Sequence, residues 1–214
     1  MSNFETVQLA PGAVCLRDFA TMSAQTLLDS IQTLSRSAPF RKVRTPSGKS
    51  MSVEMTNCGD CGWISDHRGY RYVKIDPITG VNWPPLPSGM ARVAVEAAKS
   101  AGYSEFNPDV CLINRYAVGA SMGLHQDRDE EDFAQPIVSV SLGLSVRFRI
   151  GGVSRGDKTQ NIALHHGDVV VFGGPSRLAF HGVGRLGSGT HPMTGAFRFN
   201  LTFRRANHEK KTGN

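Results

Sequence analysis

The sequence predicts a mainly β fold with flanking helices, an α+β chain whose strands form a sandwich or barrel. Two observations carry this. Past Gly102 the chain passes through short β-rich runs, CLINRY, PIVSVSL, VRFRI, IALHHGDVVVFGG, RLAFHGV and FRFNLTFRR, split by Gly, Pro or Asp with no helical stretch between them. Several runs alternate in polarity. In FRFNLTFR, Phe197, Phe199, Leu201 and Phe203 alternate with Arg198, Asn200, Thr202 and Arg204, so the apolar set is expected to pack and the polar set to face the other way.

The elements follow in order. The start, MSNFETVQLAPG, holds an acid and no long apolar stretch, which argues against a secretion signal. Residues 23–35 read as a helix, with Ser23 as cap and Leu27, Leu28, Ile31 and Leu34 at helical spacing. Residues 38–87 are rich in Gly, Pro, Ser and Asn and contain Trp63, Trp83, Tyr70 and Tyr72. They read as irregular chain and short strands of the kind that carries binding groups. Residues 88–101 read as a second helix with Met90, Val93, Ala94 and Ala97 on one side. The tail, ANHEKKTGN, is expected to be loose. With 214 residues, 40% of them hydrophobic, one core and one domain are expected. No apolar run is long enough to span a bilayer, so the expectation is a cytoplasmic protein, taken as a monomer.

Four cysteines are present, at positions 15, 58, 61 and 111. The pair in CGDC has the spacing of a redox or zinc half-site, but no second close pair completes it. Unpaired thiols in a reducing compartment are expected. The 24 basic and 18 acidic residues give a formal charge of +6, which permits attraction to a polyanion without proving it. Arg41, Lys42, Arg44 and Lys49 cluster in one Gly/Pro-punctuated stretch. His67, Arg68, Arg71 and Lys74 interleave with Tyr70 and Tyr72. Basic groups can hold phosphates while rings stack on bases; a solvated surface with two core tyrosines is the other reading.

The chemistry lies in LHQDRDE and LAFHGV. His125 and Asp127 form an H-x-D pair, and His181 follows on a later strand. Two imidazoles and one carboxylate are the protein share of a non-haem Fe(II) site with open positions. Zinc accepts the same set, so a hydrolase stays open at this point. His165 and His166 compete as ligands but have no matching pair nearby and read as structural or surface residues. Arg198 and Arg204, with Asn200 between them, lie on the polar face of a hydrophobic strand. Such groups call for a buried partner or a wet cavity, and an arginine fork suits a carboxylate. Asn114 and Tyr116 in LINRY alternate on another strand and can add donors.

These residues together resemble the AlkB family of Fe(II)- and 2-oxoglutarate-dependent dioxygenases. The similar stretches are MSVEMTNCG, the GW at Trp63, CLINRYAVGA with LHQDRDE, IVSVSLGL, HHGDVVVFGGPSRLAFHGV and FNLTFRR, covering most of residues 50–205. The resemblance implies a double-stranded β-helix (jelly-roll, cupin-like) core with an N-terminal nucleotide-recognition lid. Within a single domain over 1–214, residues 1–105 would form the extension and lid, 106–205 the catalytic core and 206–214 the tail. It implies that His125, Asp127 and His181 bind Fe(II), and that Asn114, Tyr116, Arg198, Asn200 and Arg204 bind 2-oxoglutarate, with O2 as the second co-substrate. Met55, Trp63, Tyr70, Tyr72, Asp129 and Arg155 match substrate-facing positions. The implied reaction is oxidative demethylation of N-alkylated bases such as 1-methyladenine and 3-methylcytosine in single-stranded DNA, with double-stranded DNA and RNA as further partners. An RNA-directed demethylase keeps all these features. A dioxygenase acting on small molecules or protein would keep the iron set without needing Trp63, Tyr70, Asp129 or a basic lid, and a non-catalytic binding module leaves the iron set unexplained.

Overall fold

A computed structural model describes residues 4–206. The first half holds β1 (Thr6–Ala10), β2 (Ala13–Leu16), α1 (Ala24–Ser37), β3 (Arg41–Arg44), β4 (Ser50–Gly59), β5 (Gly62–Asp66), β6 (Gly69–Val73) and α2 (Ser88–Ser100). The second half holds β7 (Val110–Tyr116), β8 (Met122–His125), β9 (Ile137–Gly143), β10 (Val146–Ile150), β11 (Gln160–Leu164), β12 (Val169–Phe172), β13 (His181–Val183) and β14 (Arg198–Arg204). The expected loose tail from residue 207 onward lies outside the described residues.

Three sheets result. An eight-stranded sheet runs β1-β2-β12-β9-β14-β7-β4-β3, a four-stranded sheet runs β11-β10-β13-β8, and β5-β6 stand apart as a hairpin. The pairings within the large sheet are antiparallel. Strands from both halves of the sequence build it, so β4, in the stretch expected to hold irregular chain and short strands, lies directly against β7.

The period of two along each strand sorts side chains into two cores. On one face, Ile113, Val138, Val140, Val169, Val171, Leu201 and Phe203 pack against the helices. The helices contribute Leu27, Ile31 and Leu34 from α1 and Met90, Val93, Ala94, Ala97 and Ala98 from α2. Those three alanines on α2 let its backbone lie close to the sheet. On the other face, Met55, Leu112, Tyr116, Val170 and Phe172 meet Val146, Phe148, Ile150, Leu164 and Val183 of the small sheet. Burying one such side chain contributes about 1.5–3 kcal/mol, so these two layers dominate the stabilisation. The polar residues that lie among the second set mark the cavity described below.

One expectation of the strand pattern is corrected. Phe197 does not join the packed row of Phe199, Leu201 and Phe203. It precedes β14, is 37% exposed, and lies under the Arg115 guanidinium at 5.4 Å. The alternation breaks there because the chain is still completing the turn that closes on Thr194, whose hydroxyl donates to the Phe197 carbonyl. Among the described residues no helix is long and apolar enough to cross a membrane.

Candidate metal centre

The ends of β8 and β13 meet at the site. His125, the last residue of β8, is the direct partner of His181, the first residue of β13. Antiparallel pairing thus brings together two residues that are far apart in sequence. Asp127 follows β8 by two residues and turns back between them. One ligand atom from each of the three lies within 4.8 Å of the others, and among the described residues this is the sole such group of His, Cys, Asp or Glu.

Hydrogen bonding fixes which atoms face inward. His125 Nδ1 lies 2.9 Å from the Gly123 carbonyl, and His181 Nδ1 lies 3.0 Å from the Ala179 carbonyl. A carbonyl only accepts, so each Nδ1 carries the proton and each Nε2 presents a lone pair. Both Nε2 atoms point at Asp127, at 3.7 and 3.8 Å. Two lone pairs and a carboxylate converge with no hydrogen between them, which is an arrangement that a cation completes. Backbone carbonyls orienting ligand imidazoles are what a metal centre uses to set tautomer and direction. Burial, reinforced by His125, pulls the His181 pKa down to about 4, so this imidazole stays neutral. Burial works against ionising Asp127, but Arg204, His181 and His125 outweigh it and hold the carboxyl below the usual range.

Behind the three groups lies a cavity of about 790 Å³, the size of an ordinary small-molecule site. Of the residues singled out by sequence, Met55, Trp63, Tyr70, Asn114, Tyr116, His125, Asp127, Asp129, Arg155, His181, Arg198, Asn200 and Arg204 border it. A single row of cross-strand neighbours supplies part of the floor: Met55 pairs with Asn114, and Asn114 with Asn200.

The floor is incomplete in a specific way. Arg198 is 1% exposed, yet its Nε and Nη1 have no partner, and only Nη2 is engaged, donating to Ser141 Oγ at 3.1 Å. Burial lowers its pKa to about 10, which still leaves it charged at neutral pH. Tyr116, its direct neighbour across the strands, is fully buried, and its hydroxyl reaches only the Met122 sulfur at 4.0 Å. Buried donors left unsatisfied are costly. A carboxylate entering the cavity would satisfy Arg198 and Tyr116 together. Asn114 donates to Asn200 at 3.3 Å, and Asn200 donates to Ser139 at 2.7 Å, so the two amides brace each other beside that gap. The donor set therefore fits both a metal ion and an acidic small molecule.

At the mouth, Trp63 and Tyr70 stack with ring centroids 5.4 Å apart and planes 13° apart. The Trp63 indole N–H donates to Asp129 at 2.7 Å. Arg155 is exposed on the rim, its guanidinium 5.1 Å from the Phe180 ring. Tyr72 is placed elsewhere. It is not on the cavity wall; its hydroxyl donates to Glu130 at 2.6 Å and accepts from Arg204 at 3.1 Å. Glu130 and Arg177 were missed by sequence reading. Both are almost fully buried, and Arg177 donates to Glu130 at 3.0 Å and to the Asp127 carbonyl at 2.7 Å. Glu130 sits in the acidic run DRDEED, which reads as solvated, and no spacing signal marks Arg177.

The competing groups resolve as structural. His166 accepts the Gly143 N–H at 3.0 Å and stacks on His191, and His165 pairs with Ser145. None of the four cysteines forms a disulfide, as expected of thiols in a reducing compartment, and all four are buried. The two of CGDC diverge: Cys58 pairs across the sheet with Cys111, while Cys61 packs near Val110 and Ala206.

Comparison with known proteins defines the class. Residues 12–204 match the 2OG-Fe(II) oxygenase superfamily. The chain is 57% identical over 198 residues to the alpha-ketoglutarate-dependent dioxygenase AlkB of Salmonella typhimurium, covering 92% of each. It is 52% identical to the protein of the same name in Escherichia coli, again covering 92% of each. The solved structure of OsALKBH1 superposes with a TM-score of 0.82 at 30% identity, over 94% of this chain and all of that one. The chain belongs to the AlkB family within this superfamily and is an Fe(II)- and 2-oxoglutarate-dependent dioxygenase.

Proposed function

We propose that the chain repairs nucleic acid by oxidative demethylation of N-alkylated bases such as 1-methyladenine and 3-methylcytosine, preferring single-stranded DNA and also accepting RNA. The observation that carries this reading is the stacked Trp63–Tyr70 pair at the mouth of a cavity whose floor is the His125–Asp127–His181 group. A flat ring seated against those aromatics would reach toward the metal centre.

In this reading His125 and His181 present Nε2 and Asp127 a carboxylate oxygen to Fe(II). Arg198 and Tyr116 hold one carboxylate of 2-oxoglutarate, Asn114 and Asn200 line its flank, and Arg204 serves its other end. Bound there, iron and 2-oxoglutarate with O2 supply the oxidising chemistry that releases an N-methyl group as formaldehyde and yields succinate and CO2. The protein contributes position and charge. Arg204 keeps Asp127 ionised. The oriented imidazoles keep two lone pairs on the metal. Met55 and the aromatic pair exclude water from the reacting methyl group.

A base within a duplex must be flipped out to reach this depth, which is why a single strand is favoured. Methylation makes 1-methyladenine and 3-methylcytosine cationic, so the Trp63 and Tyr70 rings and the Asp129 carboxylate all favour them over the unmodified bases. Arg155 on the rim, with Arg44, Lys49 and Arg68 of the basic stretches, would hold phosphates without reading sequence. We assign the lid to the β3–β4 and β5–β6 hairpins within residues 1–105, and the metal and 2-oxoglutarate groups to residues 106–205. The two facing sheets would then correspond to the halves of a double-stranded β-helix.

The test is formaldehyde release from a single-stranded oligonucleotide containing 1-methyladenine, with Fe(II), 2-oxoglutarate, ascorbate and O2. Release that stops when 2-oxoglutarate is omitted, and is absent for Asp127→Ala, supports the reading. Turnover of 2-oxoglutarate without release from any methylated oligonucleotide would rule out the substrate.

A further inference from the structure

The β5–β6 hairpin belongs to neither main sheet, yet it is tied to the metal centre by two side chains. Trp63 and Tyr72 are direct cross-strand partners on that hairpin. Trp63 grips Asp129, and Tyr72 grips Glu130, through bonds of 2.7 and 2.6 Å. These two acids are consecutive and follow Asp127 immediately but for Arg128. A cross-strand pair on the hairpin thus holds the segment that carries a metal-ligating group.

The contact at Tyr72 has a further consequence. Arg204 is shared between two buried carboxylates. It donates to Asp127 Oδ2 through Nη2 at 2.7 Å and Nε at 3.2 Å, while Glu130 Oε1 lies 3.4 Å from that same Nε. The Tyr72 hydroxyl donates to this Oε1 and at the same time accepts from Arg204 Nη1 at 3.1 Å. Arg177 occupies the other oxygen of Glu130. With both its oxygens engaged, Glu130 competes weakly for Arg204, and the guanidinium stays on Asp127. Without the phenol oxygen, Nη1 and Oε1 would both be short of a partner in a buried place, and the shortest remedy is rotation of Arg204 toward Glu130.

We infer that Tyr72 is a positioning residue for the metal centre rather than a contact to substrate: its hydroxyl caps Glu130 so that Arg204 holds Asp127 in place, and the Trp63–Tyr72 pair couples the seat of the hairpin to that hold. The inference rests on the proposed function for the direction of the coupling, but its metal arm does not. Loss of a partner that orients a metal ligand typically weakens metal binding 10–100-fold. Removing one hydroxyl two bonds away from Asp127 belongs at the low end.

The experiment titrates the full-length chain with Fe(II) in the absence of O2 by calorimetry, and separately measures binding of a methylated single-stranded oligonucleotide by fluorescence anisotropy. Tyr72→Phe is expected to weaken Fe(II) binding about tenfold while oligonucleotide affinity stays within about twofold. Tyr72→Phe combined with Glu130→Gln is expected to recover Fe(II) binding, because a neutral amide no longer draws Arg204 away. Glu130→Gln alone keeps the phenol and is expected to bind Fe(II) as tightly as the natural chain or more tightly; it gives an independent reading should Tyr72→Phe fail to fold by circular dichroism. The inference is overturned if Tyr72→Phe lowers oligonucleotide affinity and leaves Fe(II) binding intact, if it changes neither, if the double variant shows no recovery, or if Glu130→Gln alone loses Fe(II) affinity. Should the natural chain bind Fe(II) but no oligonucleotide, the proposed substrate fails while the Fe(II) series still decides the role of Tyr72.

Discussion

Alternate residues of β14 live in two different environments. Leu201 and Phe203 point into the helix-covered core, where they meet Ile113, Val138 and Val140 at essentially zero exposure. Arg198, Asn200 and Arg204 point from the same strand into the cavity, where they are nearly as buried. The first set is complete: each apolar surface has an apolar neighbour. The second is unfinished: two nitrogens of Arg198 lack partners, as does the oxygen of Asn114 on β7, beside Asn200. One face of the strand is built for stability and the other holds charge ready for something that arrives later. Equal burial therefore conceals opposite energetic roles, and satisfaction of polar atoms separates them.

That contrast can be broken most severely at Asp127. Asp127→Ala removes the carboxylate of the proposed metal site and one of the two carboxylates that share Arg204, so turnover is expected to fall by at least about a thousandfold. The same change leaves Arg204 with Glu130 as its remaining buried carboxylate, so a lower Tm of the metal-free protein is also expected. Phe203→Ala attacks the complete face. It should cost about 3–5 kcal/mol of stability, measured by urea denaturation, while KM for 2-oxoglutarate stays unchanged in the protein that remains folded. Arg198→Met is the inverse case. Deleting a charged hydrogen-bonding group costs about 1.5–3 kcal/mol of binding, so KM for 2-oxoglutarate should rise about 10–100-fold. The metal-free protein should melt no lower than the natural chain, because an unsatisfied charge has left the interior. A clear drop in Tm for Arg198→Met would show that the cavity face is structural after all.

The last expected effect concerns pH. The His181 pKa is depressed to about 4 in the folded, metal-free protein, against 6.5 for the free side chain. The unfolded chain therefore binds more protons than the folded one between those values, and stability falls as pH drops through that window. Above pH 6.5 both states are neutral and this contribution is flat. Thermal melts of metal-free protein between pH 4 and 7 should show the decline, and His181→Gln should remove part of it. An unchanged profile in the variant would assign the acid sensitivity to other groups.

How far the sequence reached differs by element. Both helices were legible because apolar residues recur at helical spacing; the first begins at Ala24 and the second ends at Ser100, one residue from the expected limits at those ends. Strand β10 coincides with VRFRI. The N-terminal β1 and β2 were not legible, since TVQLA and AVCL are short and gain their strand character from pairing, β1 with β2 and β2 with β12. Strand β4 was hidden among Gly, Pro and Ser, and only its place between β3 and β7 makes it extended.

The sequence by itself determined which residues have chemistry to offer: two imidazoles, a carboxylate, two arginines on an otherwise apolar strand and a pair of aromatics in a basic stretch. Those properties belong to side-chain type and to local period, and both can be read along the chain. Tertiary structure decided which of them meet. Pairing of β8 with β13 sets His125 opposite His181, and the seat of the β5–β6 hairpin turns Tyr72 inward to Glu130 and Arg204. It also decided that Glu130 and Arg177, unremarkable in sequence, are buried partners. The physical reason is that hydrogen bonds and ion pairs act over a few ångströms of space, whereas sequence spacing constrains distance only within a single element.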